Sequence, residues 1–262
     1  MPGGPALVVV DVQRGFRDPR WPARNNPGFE ANLRQLLDLW RDRRWPLVYV
    51  KHDSVRDDSP FAPGTAGNEL DADLLDAAEP DVLIAKSTNS AFLGTPSLKA
   101  WLDDREIETV VIAGIQTNHC AESTARTAGD LGYRMLFVID ATYTFDLEAP
   151  DGVTITADEL TRATAANLAA ESGEVLTTED LVAQLTARDG VVIRRVIERR
   201  RGHLMRRPCA SVGLSDQMTV TWFNRRPPRC ASRARCSRPI GSSVAPRCPL
   251  PAAACARACA SR

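Results

Sequence analysis

Short apolar runs alternate with amphipathic segments through the first 190 residues of the chain. The runs at 6–10 and 109–112 are apolar or β-branched throughout, which is typical of strands buried on both faces of a parallel sheet. Residues 29–44 instead have leucines and Trp40 at helical spacing. The predicted strands are 6–10, 47–50, 82–85, 109–112, 134–139 and 174–176. The predicted helices are 29–44, 69–78, 96–102, 121–131, 156–170 and 179–187.

Strands and helices alternate along this whole region. That order predicts a parallel sheet with helices on both faces, because each strand reaches the same edge of the sheet through a helical crossover. The predicted fold class is therefore α/β. It consists of a three-layer α-β-α arrangement around a mainly parallel, Rossmann-like sheet of about six strands, within a single domain at residues 1–189.

The composition changes after about residue 189. Residues 1–189 carry 17 Lys and Arg against 31 Asp and Glu, whereas residues 190–262 carry 16 Arg, no Lys and 2 acids. Six of the seven cysteines also lie in this second part. We interpret 190–262 as an Arg/Pro/Cys-rich tail that is disordered or non-native, as a frameshift would produce. A genuine basic extension and a metal or nucleic-acid module remain alternatives.

The remaining composition argues against a secreted or membrane protein. The region 1–189 contains a single cysteine, Cys120, so it has no disulfide framework. The first apolar run is short, lacks a basic flank and ends at Asp11, unlike a signal peptide. No run approaches the roughly 18 apolar residues of a membrane span. We predict a cytoplasmic protein that binds neither membrane nor nucleic acid.

The stretch from 107 to 126 predicts a buried strand, a short elbow and a helix that begins near a cysteine. Asn118 can cap this helix, because its side-chain oxygen can accept a bond from a free N–H of the first turn. Cys120 then lies in the first turn, where the helix dipole lowers the pKa of a thiol. The sequence therefore predicts a reactive cysteine at the elbow.

Two further polar residues follow predicted parallel strands. Asp11 ends the first strand and Lys86 ends the third. Because the carboxyl ends of parallel strands share one edge of the sheet, we expect both side chains to meet Cys120 there. An acid, a cation and a thiol together form a recognisable catalytic set, in which the carboxylate can take the thiol proton.

The chain resembles the isochorismatase-like cysteine hydrolases, a superfamily of nicotinamidases, N-carbamoylsarcosine amidohydrolases and isochorismatases. The resemblance rests on five blocks between about residues 6 and 146. The blocks are ALVVVDVQRGF, VYVKHDS, AKSTNSAF, VIAGIQTNHCAESTARTAGDLGY and VIDATYTFD.

The resemblance implies a role for each residue of the set. Cys120 would be the nucleophile, Asp11 the general base and acid, and Lys86 their cationic partner. It also implies a cis peptide between Ile115 and Gln116, with the N–H groups of Gln116 and Cys120 forming an oxyanion hole. The implied reaction is attack on a carbonyl, formation of an acyl-enzyme, loss of an amine or ammonia, and hydrolysis by water.

Several polar and aromatic residues near these motifs are candidates for contact with substrate. Asn118 is equally well explained as a helix cap. Phe16 and Phe92 could instead be ordinary core residues. Phe145 and Asp146 follow the fifth strand and would close the pocket or contact another subunit. The predicted substrate-pocket residues are Gln13, Phe16, His52, Asn89, Phe92, Asn118 and His119.

The histidine content sets this chain apart from the nicotinamidases. Those enzymes bind a metal through an aspartate and two histidines, whereas residues 1–189 of this chain offer, besides His52 and Asp53, only one further histidine, His119, next to the nucleophile. We therefore predict no metal and no cofactor.

The predicted function is a cysteine-dependent hydrolase that cleaves the C–N bond of a small amide or carbamoyl compound. Alternatives are a catalytically silent binding or assembly subunit and an isochorismatase-type ether hydrolase. The resemblance implies a homo-oligomer, a dimer or a tetramer.

Overall fold

The computed structural model of the chain describes residues 4–187, so the predicted tail at 190–262 lies outside the described residues. The strands are β1 (Ala6–Val10), β2 (Leu47–His52), β3 (Val82–Lys86), β4 (Thr109–Ile115), β5 (Arg134–Tyr143), β6 (Leu147–Glu148), β7 (Thr154–Ile155) and β8 (Glu174–Leu176). The helices are α1 (Phe29–Arg43), α2 (Ala72–Leu75), α3 (Leu98–Asp103), α4 (Glu122–Asp130), α5 (Ala157–Glu171) and α6 at 178–187. None of the helices in this part of the chain is long and apolar enough to cross a bilayer.

Six strands form one parallel sheet in the order β3-β2-β1-β4-β5-β8. The chain starts in the middle of the sheet, moves outward to β3, and then crosses to the other side at β4. The order of strands therefore reverses between β1 and β4. Ligands of open α/β sheets bind beyond the carboxyl ends of the strands at such a reversal. The predicted α/β fold is confirmed.

The two faces of the sheet are covered by different helices. Alternate residues of β1 point to opposite faces, so Leu7 and Val9 belong to one apolar cluster and Val8 and Val10 to the other. Helices α1 and α6 pack in the first cluster, and α3, α4 and α5 in the second. The continuous apolar run of β1 follows from this burial on both faces.

The structure differs from the predicted elements at two places near the site. Strand β5 continues to Tyr143, past the predicted end at 139, and its register with β4 shifts between Ile112 and Gly114. A wide π-turn, Thr117–Ala121, precedes α4. Neither a bulge nor a π-turn leaves a periodic pattern of apolar residues, so the sequence showed neither.

Gly114 allows β4 to approach β1 beside the predicted base, Asp11. Its φ is +125°, and an added Cβ would overlap the backbone oxygen and nitrogen of Val10. Because both overlaps are with backbone, we expect Gly114→Ala to lower the free energy of unfolding by at least about 3 kcal/mol, as measured by urea denaturation.

Gly132 provides the matched control for this substitution. It has a φ of +87°, but an added Cβ there meets nothing within 4 Å. Gly132→Ala should therefore show only the backbone cost of about 1–2 kcal/mol. Equal losses at the two glycines would contradict the close approach as the cause.

Candidate active site

Asp11 and Lys86 form a buried ion pair at the carboxyl edge of the sheet. Lys86 Nζ donates to Asp11 Oδ2 at 2.7 Å, and both side chains are at most 1% exposed. Asp11 follows β1 directly and has a φ of +52°, a conformation that few residues other than glycine adopt. Burial raises the pKa of the Asp11 carboxyl, and the nearby Lys86 charge opposes this rise. The cation therefore helps to keep a buried carboxylate ionised.

His52, the last residue of β2, lies beside the same pair. Its Nδ1 is 3.3 Å from Lys86 Nζ, which makes it a natural acceptor for the ammonium group. Burial, reinforced by the charge of Lys86, lowers the pKa of His52, so the imidazole is neutral near pH 7. The cation thus contacts one charged and one neutral partner.

Gln13 holds His52 in place rather than contacting a ligand. Its Nε2 donates to the His52 carbonyl at 3.0 Å, and its Oε1 accepts from the His52 N–H at 2.9 Å. The side chain is buried behind this strand end and does not line the candidate substrate cavity. The prediction of Gln13 as a pocket residue was therefore wrong, because both ends of its amide are used by the backbone.

Cys120 lies in the π-turn between β4 and α4. No side chain caps this turn, and the Asn118 oxygen instead accepts a 2.5 Å bond from Thr144 Oγ1. The prediction of Asn118 as a helix cap was wrong. The carbonyl of Gln116 already accepts bonds from the N–H groups of His119 and Ala121, so the turn begins before Asn118.

The thiol of Cys120 lies near the Asp11 carboxylate. One sulfur, one carboxylate oxygen and one ring nitrogen, from Cys120, Asp11 and His52, lie within 4.8 Å of one another. Asp11 Oδ1 is buried and has no hydrogen-bond partner among the described residues. The sulfur is also 3.9 Å from Asn89 Oδ1. The geometry leaves one strong acceptor available for the thiol proton.

The electrostatics favour a protonated thiol in the resting site. Burial, and then the charge of Asp11, raise the pKa of the Cys120 thiol to about 12. The predicted lowering of this pKa was wrong, because the loss of solvent and the Asp11 carboxylate outweigh the Lys86 cation. Any thiolate chemistry at Cys120 therefore requires proton transfer during the attack.

The backbone beside the cysteine contains the cis peptide that the resemblance implies. The peptide bond between Ile115 and Gln116 is cis. Gln116 and Cys120 both border the cavity. The assignment of their N–H groups to an oxyanion hole stays a prediction.

A cavity of about 520 Å³ opens above these groups. That size suits a small organic molecule. The predicted residues Phe16, His52, Asn89, Asn118 and His119 line it. Partial loss of solvent lowers the pKa of His119, although the residue as a whole is exposed, so its neutral form predominates near pH 7.

Phe92 is the second predicted pocket residue that the structure places elsewhere. It is 9% exposed, belongs to the apolar cluster under α3 and α4, and packs against Tyr133 at 5.8 Å between ring centroids. The prediction was wrong because the 3-10 turn Ala91–Leu93 directs this ring into the core. Its partner in the predicted apolar wall, Phe16, does reach the cavity.

Other aromatic side chains complete the wall beside Phe16. Trp21 stacks on Phe145 at 4.7 Å, and Phe61 lies 4.5 Å from Phe16. Phe145 and Asp146 border the cavity, as predicted. Trp21 and Phe61 were missed, because they stand in loops that have no periodic pattern.

Asparagines anchor the loop that carries Trp21. Asn26 Nδ2 donates to the carbonyls of Asp140 and Thr142 at 2.6 Å each, and Asn32 Nδ2 donates to Asp140 at 2.8 Å. Asn25 Oδ1 accepts from the Thr144 N–H at 3.0 Å. The loop is therefore tied to the extended end of β5.

The residues around the thiol do not fit a metal ion well. Asp11 and His52 both contact the Lys86 ammonium, so an ion between them would meet a fixed positive charge. Asp53, considered above with His52, accepts a 2.9 Å bond from Asn68 and lies 3.5 Å from Lys51.

Known proteins resemble this chain over the same region. The model of the Isochorismatase domain family matches residues 5–180. An uncharacterized isochorismatase family protein of Bacillus subtilis, YrdC, is 36% identical over 177 residues, which cover 68% of this chain and 94% of that protein. Maleamate amidohydrolase of Pseudomonas putida is 31% identical over 151 residues, with 51% and 70% covered. A solved isochorismatase-family structure from Chromobacterium violaceum is 36% identical at a TM-score of 0.65, with 70% and 94% covered.

Proposed function

Because this chain belongs to the isochorismatase family, we propose that it is a cysteine-dependent hydrolase that cleaves the C–N bond of a small amide or carbamoyl compound. The similarity to maleamate amidohydrolase supports amide hydrolysis. Cys120 is the nucleophile, Asp11 the general base and acid, and Lys86 the cation that stabilises the Asp11 carboxylate.

One observation carries the proposal. Asp11 Oδ1 is buried without a partner among the described residues, and the Cys120 sulfur lies within 4.8 Å of an oxygen of the same carboxyl group. A buried, unpaired carboxylate oxygen is costly. The lack of a partner is explained if Asp11 Oδ1 accepts the thiol proton during catalysis. Lys86 occupies the other oxygen, Oδ2, and so leaves Oδ1 for this role.

The first half of the reaction forms a bond between sulfur and carbon. The Cys120 sulfur attacks the substrate carbonyl while its proton moves to Asp11 Oδ1. The carbonyl oxygen takes up negative charge, which the N–H groups of Gln116 and Cys120 stabilise. One such donor is typically worth about 3 kcal/mol of barrier. The C–N bond then breaks, and Asp11 returns the proton to the leaving nitrogen.

The second half regenerates the thiol. Water attacks the thioester, and Asp11 takes one of its protons. The C–S bond breaks, the acid product leaves, and the proton passes from Asp11 to the Cys120 sulfur. Asp11 thus acts as base and acid in turn, which suits a carboxyl whose pKa is raised by burial.

We further propose that residues 1–189 make up the hydrolase domain and that residues 190–262 are additional to it. The family model supports this boundary, because its match ends at residue 180. The Arg-rich composition after residue 189 also supports it.

A trapped acyl-enzyme would test the proposed reaction. The full chain is incubated with a panel of small primary amides and carbamoyl compounds, and ammonia release is measured. Each reaction is quenched in acid and digested with trypsin, which releases peptide 106–126 with Cys120 as its single cysteine. We expect this peptide to gain the mass of the acyl group in a time-dependent way.

The six cysteines after residue 189 serve as internal controls. They should stay unmodified during turnover. Ammonia release without any adduct on peptide 106–126, in quenches that span the pre-steady state, would argue against the acyl-enzyme. Absence of turnover and of adduct across the panel would favour a silent binding subunit.

A further inference from the structure

The cavity above Cys120 has an aromatic wall and an acidic mouth. Phe16, Trp21, Phe61 and Phe145 line it, with centroid separations of 4.5–6.3 Å among them. This cluster faces the reacting groups from the loops after β1, β2 and β5. Such a wall favours a flat or apolar substrate body and attracts positive charge to the ring faces.

The charges at the mouth are negative. Asp146 and Glu148 line the cavity, and no lysine or arginine lines it within the described residues. Glu148 is exposed. Asp146 accepts a 2.8 Å bond from the Ala157 N–H, so the start of α5 partly balances its charge. Glu148 is therefore the less compensated acid at this opening.

The interior offers no cation for a substrate carboxylate. Lys86 is fully buried, does not line the cavity and is paired with Asp11. His52 and His119 are neutral near pH 7, as argued above. At the floor, Asp11 presents a buried oxygen that has no partner among the described residues. A bound carboxylate would lose its water, find no positive partner and face like charges.

We propose that this site, if it is the amide-hydrolysing site proposed above, selects small amides with an apolar body and a positively charged far end, and rejects amides that carry a carboxylate. The reacting amide lies at Cys120, the body lies along the four aromatic rings, and the cation points to Glu148. The proposal separates this chain from its relative named for maleamate, whose substrate carries a carboxylate.

Three benzamides of similar shape test this selectivity. 4-(Aminomethyl)benzamide is cationic, 4-ethylbenzamide is neutral and 4-carboxybenzamide is anionic near pH 7. We expect kcat/KM to fall in that order, with the cation favoured over the anion by roughly tenfold or more at low salt. The ratio should shrink in 0.5 M NaCl, because exposed charges are screened.

Removing the negative charge at the mouth tests its part in this order. Glu148→Gln should reduce the cation-to-anion ratio by roughly threefold, because the carboxylate that attracts the cation is replaced by a neutral amide. Glu171→Gln is the matched control, since Glu171 is exposed at the end of α5 and does not line the cavity. It should change none of the three rates.

Binding measurements keep this inference separate from the proposed reaction. If no benzamide is hydrolysed, the same three compounds are titrated by calorimetry into the Cys120→Ala variant. Tighter binding of the cation supports the selectivity even where the hydrolysis proposal fails. Equal or stronger binding of the anion, or turnover that favours it, overturns the inference and leaves the reaction intact.

Discussion

Replacing Cys120 by alanine is expected to reduce amide hydrolysis by about 10⁴-fold or more, because removal of a nucleophile disables all steps that depend on it. The side chain is half-buried and packs at the edge of the cluster under α4, so its loss removes little apolar contact. We expect the free energy of unfolding to change by less than about 1 kcal/mol. Steady-state ammonia release, with urea denaturation alongside, measures both effects.

The outcome of this substitution separates the reaction types. An ether hydrolase of the isochorismatase type, which has no need of a cysteine nucleophile, would keep its rate in Cys120→Ala. Cys209→Ala is the matched control, because residue 209 lies outside the segment 5–180 that the family model matches. It should leave the rate unchanged. Survival of amide hydrolysis in Cys120→Ala would end the acyl-enzyme proposal.

Replacing Lys86 by methionine is expected to destabilise the protein by about 3–5 kcal/mol at pH 7, because it leaves the Asp11 carboxylate buried without a cation. Methionine retains much of the length of the lysine chain, so the cavity left behind is small. Hydrolysis should also fall by at least about 10²-fold, since the base loses its fixed geometry. Urea denaturation and ammonia release provide the two measurements.

The loss of stability in this variant should depend on pH. Burial already raises the pKa of Asp11 and the Lys86 charge opposes the rise, so removing Lys86 raises this pKa further. The folded variant then holds a proton over a pH range where the unfolded chain, with an Asp pKa of about 3.9, has lost it. Stability therefore falls as the pH rises through that range. Lys86→Met should be closer to wild type at pH 5 than at pH 7.

A second substitution checks the assignment to Asp11. Adding Asp11→Asn to Lys86→Met removes the titrating carboxyl, and we expect the extra pH dependence between pH 5 and 7 to disappear. If it persists, another group causes it. A Lys86→Met protein that is fully stable at pH 7 would mean that the ion pair contributes nothing to the fold.

The fold was predictable because its sheet is regular. The continuous apolar runs of β1 and β4 follow from burial on both faces of the sheet. The helical spacing of leucines in α1 follows from burial of one face of that helix. Because parallel strands share one edge of the sheet, their order along the chain also predicted that Asp11, Lys86 and Cys120 lie together. However, the position of a residue after a strand predicts only that it lies at the carboxyl edge of the sheet. It does not predict the direction in which the side chain points.

The predictions that were wrong concern residues whose position depends on local geometry. Gln13 and Phe92 stand beside the right motifs, but one is used by the backbone of His52 and the other turns into the core. The pKa of Cys120 also depends on how close Asp11 comes and how much solvent is lost. Trp21 and Phe61 come from irregular loops, whose course is set by single contacts that no repeating pattern records.

The asparagine anchors of the Trp21 loop have a consequence for how binding energy is used. Asn26 bonds the loop to the backbone of β5, and Asn25 bonds it to Thr144 just after this strand, so part of the aromatic wall is fixed to the central sheet before a ligand arrives. A preorganised surface loses little conformational entropy on binding. The free energy of contact with the wall is then available as affinity, instead of being spent on ordering the loop.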